Sequence, residues 1–253
     1  MMEKVQSVDR ALTILELLAE HNEGLRIIEI SKEVNLHKST VHRLLGTLIH
    51  NGYVRQDLEN NKYKVTLKLF ELGNKKLEDM DILNVSKTYL ESLMESLNEV
   101  VHLVIRDENE IVYIDKVEAD NTIRMASNIG RRGPLHCTSV GKAMLAYMSD
   151  EEVKSIWNNS KIEKYTPNTI TDFNVLKKEL EIIKEKGYSV DDEENEVGVR
   201  CIGAPIFNRF GKVEGGISIS GPSIRITKGR VEDMAKEVIK YAKMVSRELG
   251  YIE

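Results

Sequence analysis

The chain has 253 residues and a mass of 28.8 kDa, with 41% hydrophobic residues, 30% charged residues and a formal net charge of −5. This composition is that of a folded globular protein, and the length suits a small domain followed by a medium one. No apolar run of the sequence is long enough to cross a bilayer, and the first residues lack the order of a signal peptide, so we expect a cytoplasmic protein with no membrane contact. The two cysteines, Cys137 and Cys201, have no CxxC spacing and predict neither a disulfide framework nor a structural zinc site.

The negative net charge conceals a local basic surface. Residues 1–75 hold 11 Lys and Arg against 10 Asp and Glu, so the excess of acid lies in the rest of the chain. Residues 34–56 contain no acidic residue at all. The basic and imidazole side chains of this stretch are Lys38, Arg43, Arg55, His37, His42 and His50. Such a surface on an acidic protein is typical of a nucleic-acid contact.

Apolar spacing predicts two helices before this basic stretch. The first covers residues 8–18, with Ser7 as the candidate N-cap. A polar break follows, and a shorter apolar repeat predicts a second helix over residues 27–34 that stops at Asn35.

A third helix has the strongest pattern in the chain, and Gly52 is its predicted stop. Its apolar side chains fall at i, i+3, i+4, i+7 and i+8: Val41, Leu44, Leu45, Leu48 and Ile49. The opposite arc carries polar, basic and small residues: Ser39, Thr40, His42, Arg43, Gly46, Thr47 and His50. After Gly52, a strand over residues 53–55, a polar turn at 57–61 and an alternating strand at 62–66 predict a hairpin wing.

Three helices and a wing indicate a winged helix-turn-helix that binds double-stranded DNA. An arginine can bond guanine through two donors, and small hydroxyl residues near a helix N-terminus suit phosphates and base edges. Gly46 costs an ordinary helix about 1 kcal/mol, and its place on the outer face suits a close approach to DNA. A small packing module whose polar face meets only water is the alternative, and the absence of acid on that face argues against it.

The remainder of the chain predicts an α+β domain with one antiparallel sheet covered by helices. Residues 67–80 form a linker helix with a bend at Gly73, and a second amphipathic helix spans residues 85–97. Strands are expected at residues 100–105, 111–116, 122–126, 188–191, 199–207 and 212–220, the last two joined by a turn at 208–211. Helices are expected at residues 141–147, 151–157, 173–186 with Asp172 as N-cap, and 231–249.

Over essentially its whole length the sequence resembles the IclR family of bacterial transcription regulators. The segments that carry the resemblance are Ser7-Val8-Asp9-Arg10-Ala11-Leu12-x-Ile14-Leu15, Lys38-Ser39-Thr40-Val41-His42-Arg43-Leu44-Leu45, Pro134-Leu135-His136-Cys137-Thr138-Ser139-x-Gly141-Lys142-Ala143, Gly187-Tyr188-Ser189-Val190-Asp191, Gly198-Val199-Arg200-Cys201-Ile202-Gly203-Ala204-Pro205 and Ile217-Ser218-Ile219-Ser220-Gly221-Pro222. The family has a proline just before the recognition helix, where this chain has His37.

The resemblance implies a winged helix-turn-helix DNA-binding domain in residues 1–66, a linker helix in 67–80, and a GAF-like effector-binding and oligomerisation domain in 81–253. It also implies a homodimer or homotetramer on operator DNA, a repressor of a catabolic operon, and control by a small carboxylate or sugar-acid metabolite. The residues expected to contact DNA are Arg10, Lys38, Ser39, Thr40, His42, Arg43, Thr47 and Lys62. The residues expected to bind the effector are Ser139, Val140, Asp191, Cys201, Ser218 and Ser220.

Strand geometry also indicates that Ser218 and Ser220 act together. Ser218 and Ser220 are two apart on a predicted strand, so both hydroxyls point to one face. Pairing about the turn at residues 208–211 places Cys201 opposite Ser218. The structural alternative is that the serines bond neighbouring backbone, Cys201 is a small buried hydrophobe and Asp191 caps a loop.

Enzyme and metal readings find little support in the sequence. His136 precedes Cys137, but adjacent residues on a strand point to opposite faces, so the imidazole would not activate the thiol. A metal cluster of His136, Cys137, Asp191 and Cys201 lacks any ligand spacing. We therefore expect no catalytic residue, no metal and no cofactor. A DNA-binding architectural protein without an effector is the third reading, which the two same-face serines disfavour.

Overall fold

The computed structural model of the protein describes residues 5–78, 81–121 and 127–252, and it divides the chain into two compact units between residues 79 and 80. In the first unit three helices pack with a three-stranded antiparallel sheet of order β1-β3-β2. The elements are α1 (Gln6–Ala19), β1 (Leu25–Arg26), α2 (Ile27–Glu33), α3 (Lys38–His50), β2 (Val54–Gln56), β3 (Lys62–Val65) and α4 (Lys68–Glu78).

The apolar repeats of the sequence form the core of the first unit. The buried residues are Ile14, Leu15, Leu18, Ile30, Val41, Leu44, Leu45, Leu48, Val54 and Tyr63. Asn35 takes a positive φ of 49° between α2 and α3, which lets the chain turn sharply before the extended N-cap His37. The third helix is thus held by its apolar stripe against the rest of the unit.

Three details of the first unit differ from the sequence prediction. Val5 is the N-cap of α1, so Ser7 lies inside the first turn and caps nothing. Ile49 is 39% exposed and lies outside the core. Strand β1, which pairs Leu25 with Tyr63, was not predicted because two residues are too short to show an alternation. The linker helix is continuous through Gly73, because glycine is tolerated in a helix at a modest cost.

The second unit is a six-stranded antiparallel sheet of order β6-β5-β4-β9-β8-β7 with helices on both faces. Its elements are α5 (Asp81–Leu97), β4 (Val100–Asp107), β5 (Glu110–Val117), β6 (Arg132–Pro134), α6 (Ser139–Leu145), α7 (Asp150–Asn159), α8 (Phe173–Lys186), β7 (Ser189–Asp192), β8 (Val199–Phe207), β9 (Val213–Pro222), a 3₁₀ turn (Lys228–Arg230) and α9 (Val231–Glu248).

Two adjacent glycines of β9 show which helix covers which face. A Cβ at Gly215 would lie 2.9 Å from Ile82 of α5, and a Cβ at Gly216 would lie 2.5 Å from Val140 of α6. Successive residues of a strand point to opposite faces, so α5 and α6 cover opposite faces of the sheet. Helix α9 packs beside α5, where the Tyr89 hydroxyl donates to Glu248 at 2.9 Å.

The hairpin of β8 and β9 has a register that the sequence did not predict. Phe207 pairs with Val213, one residue beyond the predicted partner. Ile206 then pairs with Gly215, so a bulge shifts the pairing by one more residue before it reaches Cys201. Cys201 therefore lies opposite Ser220, and the prediction that it opposes Ser218 is wrong.

The ends of other strands also differ from the prediction. Strand β9 begins at Val213, one residue later than predicted, and continues to Pro222. Strand β6 was not predicted, because its three residues Arg132–Pro134 include a glycine and a proline. The predicted strand at residues 122–126 lies outside the described residues. None of the described helices is long and apolar enough to span a membrane.

Candidate functional site

The outer face of α3 is a continuous polar surface of the first unit. Its exposed residues are Lys38, Ser39, His42, Arg43, Gly46, Thr47 and His50, and Thr40 is half-buried beside them. In the part of the chain that the structure describes, neither Lys38 nor Arg43 forms an ion pair. The Thr47 hydroxyl donates to the carbonyl of Arg43 at 3.2 Å and keeps its lone pairs free. This face therefore offers uncompensated positive charge and small polar groups.

The other two residues expected to contact DNA lie on other elements. Arg10 is half-buried on α1, and Lys62 is half-buried at the start of β3. The tip of the hairpin between β2 and β3 is acidic, with Asp57 and Glu59. Asp57 accepts from the Glu59 amide and from the Asn60 side chain, both at 2.9 Å, and the amide bond above all holds the pKa of Asp57 below its usual value. Six of the eight predicted residues thus share α3, and the wing tip itself has negative charge.

A cavity of about 260 Å³ lies on the sheet of the second unit. All six residues predicted for the effector line it: Ser139, Val140, Asp191, Cys201, Ser218 and Ser220. The register explains why they meet. Asp191 pairs with Cys201, Cys201 pairs with Ser220, and Gly203 pairs with Ser218. Three neighbouring strands therefore present one row of polar side chains to the cavity.

The Asp191 carboxylate has two distinct oxygens. Its Oδ1 accepts from the backbone amides of Glu194 at 2.7 Å and Asn195 at 3.3 Å, whereas Oδ2 has no hydrogen bond among the described residues. Asp191 is only 3% exposed, and burial raises its pKa to about 6 despite the two amide bonds. Asp191 thus caps the loop after β7, as the structural alternative predicted, and Oδ2 is the oxygen that can accept a further hydrogen bond.

Glycines allow α6 to lie directly on this part of the sheet. A Cβ at Gly203 would lie 2.7 Å from the Val140 nitrogen, and a Cβ at Gly216 would lie 2.5 Å from Val140 Cγ2. No larger residue fits at either position without moving the helix. The two strand glycines therefore hold Ser139 and Val140 against the cavity.

Several other cavity residues were not predicted from the sequence, namely His102, Tyr113, Ser127, Arg131, Thr138, Asn195 and Glu196. His102 on β4 is 2% exposed, and its Nε2 lies 2.7 Å from the Ser127 hydroxyl. The Tyr113 ring meets the His102 ring edge-on at 5.1 Å. A histidine in the otherwise apolar run Val100–Ile105 was the signal that could have revealed this wall of the cavity.

Lys142, from the Gly-Lys-Ala segment of α6, is fully buried behind the cavity. Its Nζ donates to the Val190 carbonyl at 2.8 Å and to the carboxylate of Glu194, with Glu179 at 3.8 Å. Burial raises the pKa of Glu194 to about 7, while Lys142 opposes that rise. The pair ties α6 to the loop after β7, so two walls of the cavity are joined by one buried contact.

His136 and Cys137 lie in a bend between β6 and α6, so the expectation that they alternate on a strand is wrong. The His136 ring packs against Trp157 and Tyr165, with centroids 6.0 and 6.5 Å apart. Burial lowers the pKa of His136 and raises the pKa of the Cys137 thiol well above its ordinary value. A buried thiol of raised pKa is a poor nucleophile. Within the described ranges, no group of three or more His, Cys, Asp or Glu side chains could hold a metal ion.

Comparison with known proteins identifies the family. Residues 7–58 match the IclR helix-turn-helix domain, and residues 74–247 match the C-terminal domain of the bacterial transcriptional regulator IclR. The chain belongs to the IclR family of bacterial transcriptional regulators. This confirms the predicted fold, a winged helix-turn-helix followed by an α+β domain with an antiparallel sheet.

Bacterial regulators are similar to this chain over almost its full length. The HTH-type transcriptional regulator KdgR of Escherichia coli is 40% identical over 98% of this chain and 94% of its own length. The transcriptional repressor IclR of the same organism is 36% identical over 98% of this chain and 91% of its own length. Among solved structures, IclR of Thermotoga maritima has a TM-score of 0.85 at 34% identity and covers 98% of this chain and 100% of its own. The chain is a DNA-binding transcriptional regulator of IclR type, as predicted, and not an enzyme.

Proposed function

We propose that this regulator is a cytoplasmic repressor of a catabolic operon that binds operator DNA through α3 and is controlled by a small carboxylate or sugar-acid effector. The observation that carries the proposal is the cavity on the sheet, where the hydroxyls of Ser218 and Ser220 meet Oδ2 of Asp191. A purely structural core would pair its polar atoms, whereas Oδ2 of Asp191 accepts no hydrogen bond among the described residues.

For DNA, α3 offers the chemistry that a major-groove helix needs. Lys38 and Ser39 at its start suit phosphate contacts, and Arg43, one turn later, suits a guanine edge. Asp57 and Glu59 would repel phosphates, so Lys62 on β3, rather than the wing tip, is the wing residue assigned to the DNA backbone. Arg10 on α1 is assigned to the same backbone.

Self-association is proposed for residues 81–253, as the family resemblance implies, and exposed apolar side chains of the first unit would add to the interface. Val8 and Leu12 of α1 are 55% and 53% exposed, and Phe70 of α4 is 69% exposed. Val8 and Leu12 are one helical turn apart, and adjoining exposed apolar side chains favour an interface. A homodimer or homotetramer would also place two α3 helices on the two halves of a symmetric operator.

For the effector, the size and polarity of the cavity set the class. A volume of 260 Å³ equals about nine water volumes, which suits a ligand of roughly ten non-hydrogen atoms. The serine hydroxyls and the backbone amides at Ser139 and Val140 can donate to a carboxylate. The free oxygen of Asp191 repels a carboxylate and accepts from hydroxyls, so the carboxylate end belongs at the serines and the hydroxyl end at Asp191.

The test is a thermal-shift screen of the full chain against pyruvate, gluconate and galacturonate, with glucose as the uncharged control. Operator fragments are first selected from random DNA by the wild-type protein. We expect at least one acid to raise the unfolding temperature and to lower the affinity for the selected operator. Stabilisation by glucose alone would contradict the acid class of the effector. Silence of all acids and of glucose in both assays would favour an architectural DNA-binding protein.

A further inference from the structure

His102 lies between two serines of the cavity and touches both. Its Nε2 is 2.7 Å from the Ser127 hydroxyl, and its Nδ1 is 3.4 Å from the Ser220 hydroxyl. The register places His102 of β4 opposite Ser218 of β9. The ring therefore connects the serine row of the sheet to the segment that contains Ser127.

The groups around the ring keep it neutral. Burial lowers the pKa of His102 to about 3, and the positive charge of Lys116 on β5 adds to the effect. Tyr113 meets the ring edge-on, and Asp191 lines the same cavity. A neutral imidazole has one N–H donor and one bare nitrogen acceptor, so the two serines must play opposite hydrogen-bond roles toward it.

The two tautomers give Ser220 opposite properties. With the proton on Nε2, Ser220 must donate to Nδ1, and its hydroxyl then offers only lone pairs to a ligand. With the proton on Nδ1, Ser220 accepts from the ring, and its own proton can turn to a ligand in place of the weak acceptor sulfur of Cys201 beside it. The 2.7 Å contact at Nε2 has the length of a strong bond from a hydroxyl donor, which fits a Ser127 hydroxyl donating to a bare nitrogen. Lys116 donates to the Ser127 carbonyl at 2.7 Å and fixes that serine in place.

We propose that His102 is a positioning residue of the effector cavity, which holds the Nδ1–H tautomer and thereby directs the Ser220 proton at the carboxylate of the effector. The inference rests on the proposed function, because the carboxylate end of an acid offers only acceptors and needs a donor from Ser220. His102 and Ser127 would therefore help to select an anionic ligand, in addition to filling space.

The tautomer is measured directly by nitrogen NMR on the full chain labelled with ¹⁵N-histidine. The His102 signals are identified by their loss in the His102→Gln variant. We expect a protonated nitrogen at Nδ1, a bare nitrogen at Nε2 and no titration between about pH 5.5 and 8. A proton on Nε2, or a ring that becomes charged in this range, overturns the proposal. This measurement needs no ligand and no folded variant other than the one used for assignment.

The second test of the proposal measures the affinity for gluconate and pyruvate by calorimetry. The amide nitrogen of His102→Asn can take the place of Nδ1 and donate to Ser220, whereas that of His102→Gln can reach only the position of Nε2. We expect the Asn variant to keep affinity within about threefold and the Gln variant to lose about tenfold or more. Equal losses in both variants, or rescue by Gln alone, count against the proposal. If wild type binds neither acid, the proposed effector class fails, while the NMR result still decides the tautomer.

Discussion

The polar face of α3 and the polar cavity on the sheet differ in how their side chains are held. On α3 the polar groups are exposed, and Lys38 and Arg43 form no ion pair within the described residues. In the cavity, Asp191 and His102 are buried and hydrogen-bonded to neighbouring groups. A change on α3 should therefore alter DNA affinity at little cost in stability, whereas a change around the cavity should alter both stability and ligand response.

The largest expected effect is at the buried pair behind the cavity. Lys142→Met removes the cation and leaves Glu194 buried without it, so we expect the second unit to lose about 3–5 kcal/mol of unfolding free energy at pH 8. Denaturant unfolding of the full chain measures this loss. The matched control is Lys178→Met, an exposed lysine of α8, which should change stability by less than about 0.5 kcal/mol.

The stability that Lys142→Met loses should increase with pH. The pKa of Glu194 is raised to about 7 in the folded protein from an ordinary 4.5, so the folded state binds the extra proton and loses stability as pH rises through this window. Without Lys142 the pKa rises further, and that loss extends above pH 7. The deficit of Lys142→Met should therefore be larger at pH 8 than at pH 5, where Glu194 is protonated with or without the lysine. An equal deficit at both values would show that Glu194 is not the group left unpaired.

The next effect tests the cavity as a ligand site. The double variant Ser218→Ala with Ser220→Ala removes two donors, and each missing bond should weaken binding of a stabilising acid by about 1–3 kcal/mol. Affinity for the operator without ligand should not change, because the cavity lies in the other unit. Operator titrations with and without the acid give both quantities.

A matched serine separates ligand loss from stability loss. Ser246 of α9 is buried, donates to the Ala242 carbonyl and accepts from the Phe207 amide. Ser246→Ala should lower stability and leave the ligand-induced shift intact. Equal ligand-induced shifts in wild type and the double variant would place the effector elsewhere.

The sequence predicts the polar face of α3 more completely than it predicts the cavity. The α3 face depends on one helix, and its apolar repeat is enough to assign every exposed residue except Ile49. The cavity depends on three strands in register. A turn one residue longer than predicted and a bulge next to Phe207 together moved the partner of Cys201 from Ser218 to Ser220. A shift of two residues keeps a side chain on the same face, so the predicted residues still met. His102 was missed because its partner Ser127 is distant in sequence and no local pattern joins them.

A smaller effect is expected at Arg43, the exposed guanidinium at the centre of α3. Arg43→Ala should weaken operator binding by about 1–3 kcal/mol and relax the base preference at one position. The unfolding free energy should stay within about 0.5 kcal/mol, because Arg43 is exposed. Gel-shift titration at moderate salt checks the affinity. Arg247→Ala, an exposed arginine of α9, is the control, and equal affinities of the two variants would remove Arg43 from the interface.

The smallest effect is expected at Gly46, where one substitution should raise stability and weaken DNA binding. Gly46 lies within α3, and a Cβ placed there meets no atom within 4 Å. Gly46→Ala should thus raise the unfolding free energy of the first unit by about 0.5–1 kcal/mol. If the helix backbone approaches DNA at this point, the added methyl should weaken operator binding by about threefold, or roughly 0.7 kcal/mol. Gly73→Ala in α4 also has open space around its Cβ and should bring the same stability with no loss of affinity. A Gly46→Ala protein that is both more stable and undiminished in binding would show that DNA does not come close to α3 at this residue.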